Sequence, residues 1–217
     1  MMDFSTLLPS YLLVTLIVAA LPTLVVSATA FTKISVVLLI LRNALGIQQT
    51  PSNTVIYTTA MILAAYVMLP VIQETYLIIS NNIFQMNSFE ATERAFSTIS
   101  EPLRNFLLRY ADDVSKVFFV EALQKIWPQM RPAPGSNDFT VLLPSFLASE
   151  LTRAFQIGFL LYLPFVMIDI VVSTIVIALG LNQLSPTVLS TPLKLLLFVA
   201  IDGWTRLFHG LILSYVQ

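Results

Sequence analysis

The chain has 217 residues, of which 57% are hydrophobic and 11% charged, whereas soluble domains average about 45–50% apolar and about 25% charged residues. Its net charge of −1 comes with no basic patch, which argues against a partner that is a nucleic acid. The sequence has no Cys and a single His, too few for a metal centre built on these residues. It also has no pairing of a nucleophile with a base and no Gly-rich phosphate loop, so nothing in it indicates an enzyme or a cofactor.

The first apolar segment, residues 11–26, carries no charge. At about 1.5 Å per residue, and with help from flanking residues, it is long enough to cross a hydrocarbon layer about 30 Å thick. Pro22 predicts a kink in it. We therefore expect a first membrane helix here.

A shorter apolar run lies between Lys33 and Arg42. It is too short to span a membrane and indicates a re-entrant or interfacial helix, which Gly46 and Pro51 are suited to end. Since Lys and Arg are enriched in short cytoplasmic loops, Lys33 and Arg42 are predicted topology anchors on that side.

A second membrane helix is predicted over residues 54–72. Most charges follow it, in a region with the apolar period of an amphipathic helix, which predicts a small helical domain outside the membrane, on the extracytoplasmic side. The predicted core of this domain is an apolar stripe: Phe96, Ile99, Leu103, Phe106, Leu107, Tyr110, Val114, Val117 and Phe118.

Within this middle region Pro102 predicts a break between two helices. Asp112 with Lys116, and Glu121 with Lys125, have the i,i+4 spacing of weakly stabilising ion pairs on a solvated helix face. The stretch 127–137, rich in Pro and Gly, predicts a loop.

The third hydrophobic helix is predicted to begin at Ser145 or Phe155, to be interrupted at Pro164 and to end near Leu181. It is apolar except for three charged residues: Glu150, Arg153 and Asp169.

A fourth helix is predicted to begin with Thr191 as N-cap and Pro192 as its first residue. Lys194, Asp202 and Arg206 follow at spacings of eight and four, close to one helix face. We expect this face to meet protein or water, because lipid would leave the charges uncompensated.

These segments predict an all-α membrane protein with about four hydrophobic helices, some kinked or re-entrant, and a small helical extracytoplasmic domain between the second and third. The expected regions are an N-terminal hydrophobic part with a short cytoplasmic connection, an extracytoplasmic domain and a C-terminal hydrophobic hairpin, at residues 1–80, 81–138 and 139–217.

Four separated motifs occur in order along nearly the whole chain: FTKI with LRNALG (31–34, 41–46), SELTRAFQIGF (149–159), PFVMID (164–169), and PLK with DGW (192–194, 202–204). On these motifs the chain resembles the SctR/FliP family, the export-gate subunits of type III secretion systems and of the flagellar export apparatus. The flagellar relatives usually have a leading signal segment that this chain lacks, which favours the virulence-type, or injectisome, branch.

The resemblance implies a homo-oligomer that assembles helically with SctS-like and SctT-like partners, and with an SctU-like subunit, around a pore for unfolded secreted substrates. It implies a multi-pass protein in lipid contact in the bacterial inner membrane, in a complex that extends towards the periplasm. It also implies that assembly draws helices partly out of the bilayer.

The family's methionine gasket, which narrows the pore, has a different composition here. The matching positions are Leu181, Asn182, Gln183 and Leu184, and the resemblance makes them the candidates for the pore constriction. The two leucines would supply an apolar seal, whereas the two amides would make it wetter or close it through hydrogen bonds.

The charged residues of the third helix have two interpretations each. An uncompensated charge at mid-span costs at least about 2.5–3.5 kcal/mol, so Asp169 either pairs with a Lys or Arg of its own subunit or faces a pore or a neighbouring subunit. Glu150 and Arg153 either pair with each other, which stabilises the helix by a few tenths of a kcal/mol, or bridge subunits.

The intramembrane charges leave an alternative function open, a subunit of an ion channel or proton-coupled transporter.

Overall fold

The computed structural model describes residues 15, 19, 22–47, 49–81, 89–129, 134–181 and 183–216. Within these ranges every regular element is an α-helix. In chain order the helices are α1 (Pro22–Ala28), α2 (Phe31–Ala44), α3 (Asn53–Asn81), α4 (Phe89–Tyr110), α5 (Asp113–Ile126), α6 (Phe139–Ala178), α7 (Pro186–Ala200) and α8 (Gly203–Leu213).

Two helices, α3 and α6, are long and apolar enough to cross a membrane. Two bent pairs, α1 with α2 at 79° and α7 with α8 at 65°, each have the composition of a broken span or a re-entrant loop. The described part of the chain thus has two to four candidate spans, which confirms the predicted all-helical membrane fold. The predicted first helix, residues 11–26, lies mostly outside the described residues.

The predicted interruption of the third hydrophobic helix at Pro164 is wrong, because α6 runs unbroken through both Pro144 and Pro164. A proline removes one backbone donor from a helix, and apolar helices tolerate this loss where neighbouring elements hold the backbone in place. Here α6 contacts α2, α4, α5 and α7 along its length. The helix also begins earlier than predicted, after Asp138 as N-cap.

The predicted start of the fourth helix at Thr191 is also wrong. The N-cap is Ser185, with an extended backbone, and Pro186 takes the first helical position. Pro192 lies inside α7 instead. Ser185 and Thr191 are each followed by a proline, and the helix begins at the earlier of these two pairs.

The middle region breaks at residues 111–112 rather than at Pro102, which lies inside α4. Asp112 begins α5 as its N-cap, with its carboxylate accepting from the Ser115 N–H at 3.4 Å. Because Asp112 caps the helix, Lys116 pairs with Asp113 instead, at 2.6 Å. Neither predicted i,i+4 pair of this region forms among the described side chains.

The predicted apolar stripe of the middle region is buried only in part. Phe106, Leu107 and Tyr110 are buried near the end of α4, which contacts α3 and α6. The stripe residues of α5 are exposed, as is Phe96. The core therefore forms between α4 and the hydrophobic helices rather than between α4 and α5.

The centre of the fold is the contact of α2 along α6. Gly158 permits it, since a Cβ at this position would lie 2.4 Å from the Ile40 Cδ1 atom. Ala154, four residues earlier, is fully buried, so the two small residues form one close-approach face. Lys33 lies beside Glu150, as Ile40 lies beside Gly158, and the two helices therefore run parallel.

Candidate functional site

Two clusters of charged side chains lie along α6, one around Glu150 and one around Asp169. At about 1.5 Å per residue the two carboxylates are about 28 Å apart along the helix axis. Each cluster joins α6 to other helices, so both bear on how the subunit is held together.

The Glu150 cluster consists of Glu150, Lys33, Arg153, Tyr215 and Tyr110. Glu150 and Lys33 are fully buried, with the Lys33 Nζ 3.5 Å from the Glu150 Oε1 and 3.4 Å from the centroid of the Tyr215 ring. The Tyr215 hydroxyl donates to the Glu150 Oε2. Arg153 lies 3.4 Å from the Glu150 Oε1 and donates to the Tyr110 carbonyl at 2.9 Å.

This cluster ties the end of the chain to three helices. The Tyr110 hydroxyl donates to the Tyr215 carbonyl at 2.5 Å, and the Phe106 ring packs against both tyrosine rings. Aromatic rings exclude water from the ions, so Glu150 and Lys33 depend on each other for compensation. Removal of one partner from such a buried pair costs about 3–5 kcal/mol.

The Asp169 cluster consists of Asp169, Lys194, Ser190 and the Ala44 carbonyl. The buried Lys194 ammonium donates to the Asp169 Oδ2 at 2.6 Å and to the Ala44 oxygen at 3.0 Å. The Ser190 hydroxyl donates to the Asp169 Oδ1 at 2.7 Å. Asp169 thus has a cation within its own subunit, while its side chain stays 41% exposed and can also meet a neighbour.

Lys194 also caps the end of α2. The Ala44 carbonyl lies in the last turn, where helix carbonyls lack intrahelical partners and favour a positive charge. Gly46 then turns the chain with φ +76°, as predicted from the sequence, and a Cβ there would lie 2.8 Å from the Thr191 Oγ1 atom. Consequently α2 is held by a lysine at each end, Lys33 near its start and Lys194 at its end.

Lys194, Asp202 and Arg206 do not share one helix face, contrary to the prediction. Asp202 has a left-handed backbone, φ 55°, at the 65° bend between α7 and α8. Its carboxylate accepts from the Thr205 hydroxyl at 3.1 Å. Lys194 is buried while Asp202 and Arg206 are exposed, because the bend separates the two parts of the segment.

The two predicted topology anchors lie in different surroundings. Lys33 is fully buried in the Glu150 cluster. Arg42 lies at the end of α2, where its Nη1 donates to the Asn53 Oδ1 at 2.6 Å and to the Pro51 carbonyl at 3.4 Å. Arg42 therefore connects the end of α2 to the start of α3.

The predicted constriction residues lie in the loop between α6 and α7. Leu181, Gln183 and Leu184 are exposed there, and Asn182 lies outside the described residues. The loop begins at Gly180, φ +70°, where backbone bonds from Gly180 to the Ile177 carbonyl and from Leu181 to the Val176 carbonyl form a Schellman cap. The two leucine side chains of the loop, Leu181 and Leu184, are thus exposed in this structure.

Sequence reasoning missed the tyrosines and Ser190. Tyr215 contacts Glu150, which lies 65 residues earlier, and Lys33, which lies in the first part of the chain, and no local pattern indicates such contacts. Ser190 carried a usable signal, since it lies four residues before Lys194 on one helix and so shares its face.

Known proteins resemble this chain over most of its length. The model of the FliP family matches residues 12–211. The probable translocation protein y4yL of Sinorhizobium fredii is 47% identical over 213 residues, 96% of each chain. The Yop proteins translocation protein R of Yersinia pestis is 46% identical over 196 residues, 90% of each chain. The hypersensitivity response secretion protein HrcR of Ralstonia nicotianae is 41% identical over 209 residues, 95% of this chain and 96% of the relative.

Proposed function

Because this chain belongs to the FliP family, we propose that it is a core subunit of a type III secretion export gate. Copies of the chain join SctS-like and SctT-like partners, and an SctU-like subunit, around a pore through which unfolded proteins cross the bacterial inner membrane. Relatives named as translocation and secretion proteins support this role.

The observation that carries the proposal is the uncovered surface of the two long apolar helices. Only 22% of the most apolar stretch of α3, and 17% of that of α6, is buried. Lipid or other protein must therefore cover the rest of these stretches. On α6 the uncovered part includes charged groups, since the Asp169 and Arg153 side chains are 41% and 36% exposed. Charge beside lipid is costly, which favours neighbouring subunits or a water-filled pore along α6.

In this proposal the three regions have separate roles. Residues 81–138 form the extracytoplasmic domain between the hydrophobic parts at 1–80 and 139–217, and the assembled complex extends towards the periplasm. The loop with Leu181, Asn182, Gln183 and Leu184 forms the pore constriction. Its two exposed leucines support an apolar seal.

A secretion assay tests the proposal. A strain that lacks the gene should fail to release type III substrates into the medium, and the intact gene should restore release. Asp169→Asn should impair release through poor assembly, because the neutral side chain leaves the buried Lys194 without its carboxylate. Asp113→Asn is the control, since its side chain is 92% exposed, and it should secrete normally.

Three outcomes would change the interpretation. Normal secretion by the strain without the gene would contradict the proposed function. Normal amounts of the Asp169→Asn complex with abolished secretion would assign Asp169 to the pore rather than to assembly. Ion transport by the lone chain in reconstituted vesicles would instead support a channel or transporter subunit.

A further inference from the structure

A cavity of about 280 Å³ lies where the end of α2 meets the starts of α3 and α8, apart from both charged clusters. Its walls are mostly apolar, and among the described residues that line it Arg42 alone is charged. The volume is close to the lower limit of small-molecule sites, about 300 Å³. Nothing in the proposed export function requires a cavity here.

Arg42, which lines this cavity, also has an unsatisfied donor. Its Nη1 is bound by Asn53 and Pro51, but its Nε is buried and has no hydrogen-bond partner within the described ranges. No described carboxylate forms an ion pair with this guanidinium. A buried donor without a hydrogen bond costs about 1–3 kcal/mol, and more when the group is charged. The site therefore favours an anionic acceptor.

The open side of the cavity continues into an apolar surface. The lining residues Val55 and Trp204 are exposed, and α3 continues as a candidate membrane span with Ile62 and Tyr66 exposed. Tryptophan is enriched at the level of lipid headgroups. A molecule in the cavity can therefore lie partly in the bilayer.

We propose that this cavity binds an anionic phospholipid, with the headgroup phosphate accepting from Arg42 and the start of an acyl chain along the apolar wall. An amphiphile matches a site with one cation and otherwise apolar walls. A free anion would leave the wall empty, and a peptide would bring backbone polar groups that the wall cannot satisfy. Basic pockets between membrane helices bind anionic headgroups in this way.

Trp204 provides the test, because the chain has only two tryptophans and Trp127 lies just after α5. In the full-length Trp127→Phe chain, purified in detergent, Trp204 fluorescence reports contact with bromine-labelled acyl chains. We expect phosphatidylglycerol to reach half of its maximal quenching at about fivefold lower mole fraction than phosphatidylcholine, the factor expected for one basic group at a lipid headgroup. Excess inorganic phosphate should leave the curves unchanged.

Three variants in the same background separate charge from shape. Arg42→Gln should remove the preference for phosphatidylglycerol, while Arg42→Lys, which keeps the positive charge, should retain it. Arg109→Gln, an equal charge change at an exposed residue of α4, should also retain it.

Four results would overturn the proposal. These are equal quenching by both lipids in the parent chain, a preference that survives Arg42→Gln, displacement by inorganic phosphate, and no quenching by either lipid. The last result would mean that neither lipid enters the cavity.

Discussion

Replacing Glu150 by glutamine should destabilise the subunit strongly. The substitution keeps the shape of the side chain but removes the carboxylate 3.5 Å from the Lys33 ammonium. Lys33 is fully buried, and a buried charge that loses its partner costs about 3–5 kcal/mol. The loss of the carboxylate costs less at Arg153, because the Arg153 side chain is 36% exposed and can turn to water.

The assay is the free energy of unfolding of the full-length chain, from a titration with sodium dodecyl sulfate in mixed micelles. Glu121→Gln is the matched control, since Glu121 is exposed on α5 and its change should stay within about 0.5 kcal/mol. Lys33→Met combined with Glu150→Gln removes both charges and should recover most of the lost stability, so that the two effects are not additive.

Two results would refute this reasoning. If Glu150→Gln unfolds like the Glu121→Gln control, the buried lysine is not compensated by Glu150. If the double variant loses as much as the two single variants together, the two side chains act independently and the ion pair is not what holds α2 on α6.

Two other variants, one single and one double, test the helix contact and the loop. Gly158→Val should lower the free energy of unfolding by about 1–3 kcal/mol in the same assay, because the valine side chain would collide with Ile40. The control is Gly210→Ala, which has open space around it and should be neutral or stabilising. Equal losses for both variants would contradict a close contact at Gly158. Asn182→Met with Gln183→Met should reduce ion leakage through the assembled gate in a conductance measurement, and unchanged leakage would argue against a constriction in this loop.

Local rules predicted the features that depend on a few neighbouring residues. Uncharged apolar length identified the membrane helices, and Gly46 identified the end of α2, because glycine has no Cβ and adopts positive φ readily. The cost of an unpaired charge in an apolar helix indicated that Asp169 needs a partner. The Lys194 Nζ lies 2.6 Å from the Asp169 Oδ2.

Features decided by distant contacts were not predictable from the sequence. Pro164 has the local signature of a helix break, but α6 is continuous through it. Ser185 and Thr191 both precede a proline, so the local signal does not distinguish the true start of α7. Tyr215 joins the Glu150 cluster through contacts with Glu150, 65 residues earlier, and with the still more distant Lys33, and only the fold reveals them.

The measurement that tests the account most directly is the mass of the complex that contains this chain. An affinity-tagged chain, extracted from its native membrane in mild detergent, can be weighed by native mass spectrometry. We predict one large assembly with several copies of the chain and with SctS-like and SctT-like subunits. A folded monomer as the main species, in a strain that actively secretes type III substrates, would contradict the account.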